Sequence, residues 1–153
     1  MRDKISLWLR RCTPWAFVPI LLIASYIIIL PFAFLKPDPN QAGPNFRSMG
    51  VVGQFIIASV VAPIIETALN QALPIYLLRK YTRLRWFAII VIPSAIFGLM
   101  HFYSIQYIVY AFLVGLVLTY SYAVRRYNGG HPFTLVALIH ALRNTISIII
   151  TNA

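Results

Sequence analysis

Long apolar stretches, each close to or above the length of a membrane-spanning helix, constrain this chain most. Five can be marked, at residues 14–35, 50–78, 86–103, 106–124 and 132–151. About 20 apolar residues cross the hydrocarbon core of a bilayer as a helix. Lipid offers backbone N–H and C=O groups no partners, so each stretch is predicted to be helical. The sequence therefore predicts one all-α transmembrane domain, 1–153, built as a bundle of about five helices.

The composition excludes the usual soluble classes. Of the 153 residues, 60% are hydrophobic and only 10% are charged, and a soluble domain of this size cannot bury so much apolar surface. The net charge of +10 is a feature that nucleic-acid-binding proteins share. Here, however, the basic residues stand in short blocks between apolar stretches. We therefore expect the lipid bilayer, and no nucleic acid, as the partner of these charges.

The basic residues also predict the orientation. Ten of them fall on one side of a five-helix weave: Arg2, Lys4, Arg10, Arg11, Arg79, Lys80, Arg83, Arg85, Arg125 and Arg126. The other side holds only Lys36 and Arg47. Basic loops stay in the cytoplasm, so we predict a cytoplasmic N-terminus, an external C-terminus and a location in a bacterial inner membrane. Pro63, Pro74 and Pro93 lie inside the predicted helices and are expected to kink them.

Polar side chains inside the predicted helices are the candidate functional residues. An ionisable group within a membrane costs about 2.5–3.5 kcal/mol on insertion scales, so each one needs a reason. They are Glu66, Thr67, Asn70 and Gln71 in the second helix, His101 in the third, and His140, Arg143 and Asn144 in the fifth. At 1.5 Å per residue, the acid, the two imidazoles and the Asn144 amide come within about two helical turns of one level. We predict that they converge on a cavity with water access from the cytoplasmic side.

Such a cluster is suited to water activation. A carboxylate beside an imidazole can serve as a general base, and donors on a His–Asn pair one turn apart can stabilise an oxyanion. The same residues, Glu66, His101 and His140, are also a possible zinc ligand set with an open position for water. Taken singly, each side chain can instead be an interhelical hydrogen-bonding group, and Glu66 can be a proton-relay carboxylate of a transporter.

Three sequence motifs contain these polar residues. Residues 62–71 read APIIETALNQ, residues 97–101 read FGLMH and residues 140–144 read HALRN. Their order and spacing resemble the APxxEExxxR, FxxxH and HxxxN motifs of the CPBP or Abi intramembrane proteases, over a core of about 62–144. That family includes the type II CAAX prenyl endopeptidases and bacterial relatives linked to bacteriocin processing and self-immunity.

The resemblance implies an intramembrane endopeptidase that cleaves a membrane-associated protein or peptide with Glu66, His101, His140 and Asn144 as catalytic residues. Two alternatives stay open, a catalytically silent relative with an immunity or scaffold role and a small transporter subunit. The residues expected to support these groups or to contact substrate are Thr67, Asn70, Gln71, Phe97 and Arg143.

The first motif departs from the family pattern at two positions. Thr67 and Gln71 stand where the family has Glu and Arg, which we interpret as a charged pair replaced by a neutral, hydrogen-bonded one. The sequence also leaves the cofactor open. Glu66 is the only acidic residue within the predicted helices, and it cannot readily both activate water and anchor a zinc ligand. We therefore favour metal-free catalysis, with zinc as the alternative.

Overall fold

A computed structural model describes residues 3–32, 50–127 and 129–152. All regular secondary structure in these ranges is helical, which confirms the predicted all-α class. We number the helices in chain order: α1 Lys4–Arg11, α2 Pro14–Ile27, α3 Gly50–Tyr81, α4 Trp86–Leu99, α5 Ile105–Arg125 and α6 Pro132–Asn152. A 3₁₀ turn, Leu30–Phe32, extends α2.

Four segments are long and apolar enough to cross a membrane, Pro14–Phe32, Gly50–Tyr81, Ile105–Arg125 and Pro132–Asn152. The predicted third span is shorter than expected, because α4 has 14 residues and ends at Leu99. At 1.5 Å per residue it covers roughly 21 Å. The predicted first span continues to residue 35, and its last part lies outside the described residues. The membrane bundle therefore consists of four long helices and the shorter α4.

The short helix α1 was not predicted, and it docks on the bundle through specific contacts. Asp3 caps it by accepting hydrogen bonds from the Ser6 backbone N–H at 2.8 Å and from the Ser6 hydroxyl at 2.6 Å. These bonds lower the pKa of the Asp3 carboxyl from its usual 3.8. The buried Arg125 guanidinium donates to the Cys12 carbonyl at 2.5 Å, so the end of α5 holds the α1–α2 junction in place.

Helix α3 has widened turns just before two of its prolines. Its backbone is π-helical over Phe55–Val61 and Thr67–Ala72, and Pro63 and Pro74 follow these two stretches. A π-helical turn joins residues five apart, as in the bond from the Ala62 N–H to the Ile57 carbonyl. Pro63 has no N–H, so the next carbonyl, that of Ala58, loses its helical donor. Both π-helical stretches flank Glu66, and wide turns of this kind are frequent at functional sites.

Helices α4 and α5 approach closely because glycines line their contact. A Cβ added at Gly98 would lie 2.9 Å from Phe112 Cβ and 3.0 Å from the Ile108 carbonyl oxygen. A Cβ at Gly115 would lie 3.0 Å from the Phe97 ring. Both glycines therefore define the position of the α4 segment that carries Phe97 and leads into His101.

Candidate active site

Three of the predicted catalytic side chains meet at one carboxylate oxygen. Glu66 Oε2 lies 3.6 Å from His140 Nε2 and 3.9 Å from His101 Nε2. The exposed fractions of the side chains are 26% for Glu66, 18% for His101 and 5% for His140. Glu66 Oε2 itself is buried and has no hydrogen-bond partner among the described residues. Its hydrogen-bonding capacity is thus available to a water molecule or a substrate.

The sequence predicted His101 to lie within the third spanning helix. In the structure it lies in the turn that follows α4. Helix α4 ends at Leu99, and the chain turns before α5 begins at Ile105. His101 Nδ1 lies 2.7 Å from the Phe97 carbonyl oxygen. A carbonyl can only accept, so Nδ1 carries the hydrogen, and in the neutral ring Nε2 is left with a lone pair. This lone pair is on the ring nitrogen nearer to Glu66.

Phe97, the first residue of the FxxxH motif, positions both imidazoles. Its buried ring lies 4.5 Å from the His101 ring and 5.7 Å from the His140 ring, centroid to centroid. Its carbonyl also accepts the His101 hydrogen bond. Phe97 thus contacts both motif histidines, and its role in the site stays a prediction.

Asn144 ties α6 to α3 as well as reaching the site. Its Nδ2 donates to the Ala58 carbonyl at 2.7 Å, the same carbonyl that Pro63 and the π-helical turn leave without a helical donor. Asn144 of the third motif therefore supplies the donor that Pro63 of the first motif cannot give to the Ala58 carbonyl. An amide nitrogen has two hydrogens, so Asn144 keeps one donor for the cavity that it lines.

A cavity of about 340 Å³ adjoins this cluster. Its walls include His101, His140, Arg143 and Asn144, and Glu66 is not among the wall residues. The remaining wall residues are Tyr26, Ile29, Phe97, Tyr107, Tyr110, Ala111, Val114 and Ser147. The wall residues come from the end of α2, the end of α4 and the turn after it, the first half of α5 and the middle of α6. Most of these lie toward the end of the bundle away from the basic loops, and the predicted water access from the cytoplasmic side stays a prediction.

The tyrosines in this wall were missed by the sequence interpretation. The Tyr107 ring stacks on His101 with centroids 5.7 Å apart. Residues 107, 110, 111 and 114 follow helical spacing on one face of α5. That stripe, next to a motif histidine, was the signal available in the sequence.

Arg143 lines the cavity without an acidic partner among the described residues. Its guanidinium carbon lies 4.9 Å from the centre of the Tyr26 ring, and its Nε atom is buried without a hydrogen bond. The ion pairs of the described residues join Glu66 to the two histidines and do not include Arg143. A positive charge is therefore available to whatever enters the cavity.

Thr67, Asn70 and Gln71 are completely buried beside the site and do not line the cavity. Thr67 Oγ1, Asn70 Nδ2 and both polar atoms of the Gln71 amide lack hydrogen-bond partners in the described part of the chain. The predicted hydrogen-bonded Thr67–Gln71 pair is therefore wrong, since neither side chain bonds to the other. These residues belong to the interior of the bundle around α3.

The candidate zinc ligands are Glu66, His101 and His140. No group of three His, Cys, Asp or Glu side chains within residues 3–32, 50–127 and 129–152 is arranged to hold a metal ion. Glu66, His101 and His140 do approach one another, at 3.6 and 3.9 Å. At these separations Glu66 Oε2 hydrogen-bonds to neither imidazole, and the choice between metal-free and zinc-dependent catalysis stays a prediction.

Comparison with known proteins places the motifs in one family. A family model described as Rce1-like, "Type II CAAX prenyl endopeptidase Rce1-like", matches residues 48–146. This range exceeds half of the chain and contains all three motifs. No curated protein and no solved structure matches the chain.

Proposed function

This chain belongs to the Rce1-like family of type II CAAX prenyl endopeptidases, and we propose that it is an active intramembrane endopeptidase. In this proposal it hydrolyses a peptide bond of a membrane-associated protein or peptide. The observation that carries the proposal is the meeting of Glu66, His101 and His140 at one buried carboxylate oxygen. The family resemblance implies four catalytic side chains, and all four are present in this chain. They are Glu66, His101, His140 and Asn144, and they come from three different segments.

Glu66 is the proposed general base. It takes a proton from a water molecule that also donates to the His101 Nε2 lone pair, and the hydroxide attacks the peptide carbonyl carbon. The His101 orientation supports this role, because the Nδ1–H bond to Phe97 holds the ring in one tautomer. Glu66 then returns the proton to the amine as the C–N bond breaks, which leaves a carboxylic acid and an amine; transfer of the acid's proton to the amine gives the carboxylate and ammonium products.

His140 and Asn144 are the proposed oxyanion donors. The tetrahedral intermediate carries a negative charge on the former carbonyl oxygen, and preorganised donors are most effective where water is excluded. His140 is almost wholly buried, and the Asn144 amide is fixed by its bond to Ala58. The two side chains lie one turn apart on α6, so both can reach the same oxygen.

Arg143 is the proposed electrostatic contact to substrate. A guanidinium whose Nε–H is unpaired binds carboxylates strongly and can donate to two carboxylate oxygens at once. The Tyr26 ring holds the guanidinium from one side. We propose that it meets a carboxylate of the substrate, near the bond that is cleaved.

The proposal is tested by comparing membrane-associated and released peptides from cells that produce the wild type and Glu66→Gln. The amide is nearly isosteric with the carboxylate but cannot act as a base. Peptides that depend on the wild type should be absent from the variant at equal protein levels. Identical peptide sets would overturn the proteolytic function and favour a silent scaffold or immunity protein.

A further inference from the structure

Helix α1 borders a second cavity, which is separate from the candidate active site. This cavity has a volume of about 430 Å³. Its wall takes side chains from α1, α2, α4 and α5, and the described wall is apolar except for the tips of Trp8 and Tyr120. Among the described residues, no side chain lines both this cavity and the one beside the histidines. The second cavity therefore needs an occupant of its own, and the wall requires that occupant to be apolar.

The length of the cavity matches a lipid acyl chain. The cavity follows α2 from Ile20 to Ile28, which at 1.5 Å per residue is about 12 Å. The hydrocarbon core of a bilayer is about 30 Å thick, so one leaflet supplies about 15 Å. Helix α2 begins at Pro14, directly after α1, and belongs to a segment that is long and apolar enough to cross a membrane. The cavity thus runs from the level of α1 into the leaflet beside it.

The opening of the cavity lies at α1. The side chains of Ile5 and Trp8 belong to its wall and are 65% and 55% exposed. An amphipathic tryptophan ring with one part on apolar groups and the other part exposed is typical of the boundary between hydrocarbon and lipid headgroups. Trp8 therefore places the opening at the level of the headgroups.

Helix α1 is an ordered part of this wall, because α5 and the residues after it hold it. Ser6 Oγ lies 3.0 Å from the Tyr120 hydroxyl oxygen, and Tyr120 also lines the cavity. The Tyr127 hydroxyl donates to the Arg10 carbonyl at 3.0 Å. The Arg125 bond to the Cys12 carbonyl secures the end of the helix. The space beneath α1 thus has a defined shape, which general lipid contact does not require.

Basic side chains lie beside the opening. Lys4 is four residues before Trp8 and Arg11 is three residues after it, so all three share one face of α1. Both basic side chains are exposed. Asp3, the acidic residue next to them, already accepts two hydrogen bonds from Ser6. Lys and Arg side chains at a membrane surface attract anionic lipid headgroups. A second copy of the chain fits this face less well, because a symmetric contact would bring identical basic residues together.

We propose that this cavity binds one anionic phospholipid. One acyl chain lies in the cavity along α2, and the phosphate lies at the headgroup level within reach of Lys4 and Arg11. The bound lipid connects α1 to the bundle and takes no part in hydrolysis. The inference therefore does not depend on the proposed function.

Lipid binding is measured by native mass spectrometry on protein that has been purified in detergent and stripped of lipid. The protein is titrated with phosphatidylglycerol, which is anionic, or with zwitterionic phosphatidylcholine that carries the same acyl chains. The double variant Lys4→Gln, Arg11→Gln removes the proposed headgroup contacts. The control, Lys80→Gln, Arg83→Gln, removes the same charge from exposed positions at and after the end of α3, which contributes no residue to the described wall. Ala24→Phe fills the cavity from α2.

We expect the wild type and the control variant to retain one phosphatidylglycerol at concentrations where phosphatidylcholine is not retained. Loss of Lys4 and Arg11 should weaken phosphatidylglycerol binding about tenfold or more, and Ala24→Phe should abolish it. Equal retention of the two lipids would indicate general lipid contact and overturn the inference. Equal weakening in the two double variants, or association of a second chain in place of lipid, would also overturn it.

The position of the acyl chain is measured in the wild type, so this result does not depend on the folding of a variant. A phosphatidylglycerol with a photoreactive diazirine in one acyl chain is bound and cross-linked, and the modified residues are mapped by mass spectrometry. Cross-links should fall on residues 20–28 of α2 and 116–120 of α5. Cross-links spread evenly over the helices, or confined to the cavity beside the histidines, would contradict the assignment.

Discussion

Gly98→Ala changes the position of the catalytic segment without touching a polar atom of the site. The added Cβ would lie 2.9 Å from Phe112 Cβ, 3.0 Å from the Ile108 carbonyl oxygen and 3.1 Å from Phe112 Cα. Two of these three atoms belong to the backbone of α5, so no side-chain rotation relieves the contact. Ordinary van der Waals contact begins at 3.4 Å, and α4 must therefore move away from α5 by about 0.5 Å.

That displacement is transmitted to His101. Gly98 lies between Phe97, whose carbonyl holds His101 Nδ1, and His101 itself. A misplacement of about 1 Å can cost roughly 100-fold in rate, so a shift of half that size should lower kcat/KM about tenfold. Overpacking of this kind costs about 1–3 kcal/mol of stability. The assay is cleavage of a quenched fluorescent peptide chosen from those that depend on Glu66, alongside thermal unfolding in detergent.

Two further variants are compared with Gly98→Ala for their loss of cleavage activity. Gly115→Ala places a Cβ 3.0 Å from a Phe97 ring atom, and that ring can tilt, so its loss of activity should be smaller. Leu99→Ala alters an exposed neighbour of Gly98 on the same helix and should leave cleavage unchanged. Wild-type activity in Gly98→Ala, or a larger loss in Gly115→Ala than in Gly98→Ala, would refute the reasoning.

Three other changes have defined outcomes. Arg143→Gln should raise KM about tenfold or more, with Arg143→Lys recovering part of the loss, because a hydrogen bond to a charged group contributes about 1.5–3 kcal/mol; an unchanged KM would remove Arg143 from substrate binding. Asn144→Ala should lower kcat by about 10²–10³, as for a lost oxyanion donor. It should also lower the thermal midpoint, because the Ala58 carbonyl loses its donor. A lower midpoint with unchanged kcat would make Asn144 purely structural. Asp3→Ala should weaken the cap of α1 by about 1 kcal/mol, seen as faster proteolysis of the N-terminal segment. Because its bonds from Ser6 lower the pKa of Asp3, the wild-type cap should persist above pH 3.8 and be lost as the pH falls below that value; equal proteolysis of variant and wild type at pH 6 would contradict this.

The sequence was sufficient for the four long spanning helices and for the meeting of Glu66 with the two histidines. Apolar length predicts spanning helices because lipid leaves the backbone no other solution. Polar residues at matching depth in three segments predict a shared interior position, since each is costly in lipid. Glu66, His101 and His140 do meet, and Phe97 contacts both histidines.

The remainder depends on packing that one sequence does not encode locally. The turn at His101 follows from the early end of α4, whereas apolar composition continues past Leu99. The unpaired Thr67 and Gln71 side chains show the same limit. Four-residue spacing places them on one face in an α-helix, but α3 is π-helical there.

Hydrolysis in ¹⁸O-labelled water, with the protein purified and assayed in a strong chelator, tests the central claim most directly. If Glu66 activates water without a metal, the wild type incorporates one ¹⁸O atom into each new carboxylate. Glu66→Gln should then form no labelled product at equal folded protein. Cleavage by the wild type that chelation abolishes and zinc restores would contradict the metal-free account. Labelled product from Glu66→Gln at the wild-type rate would contradict the role of Glu66 as the base.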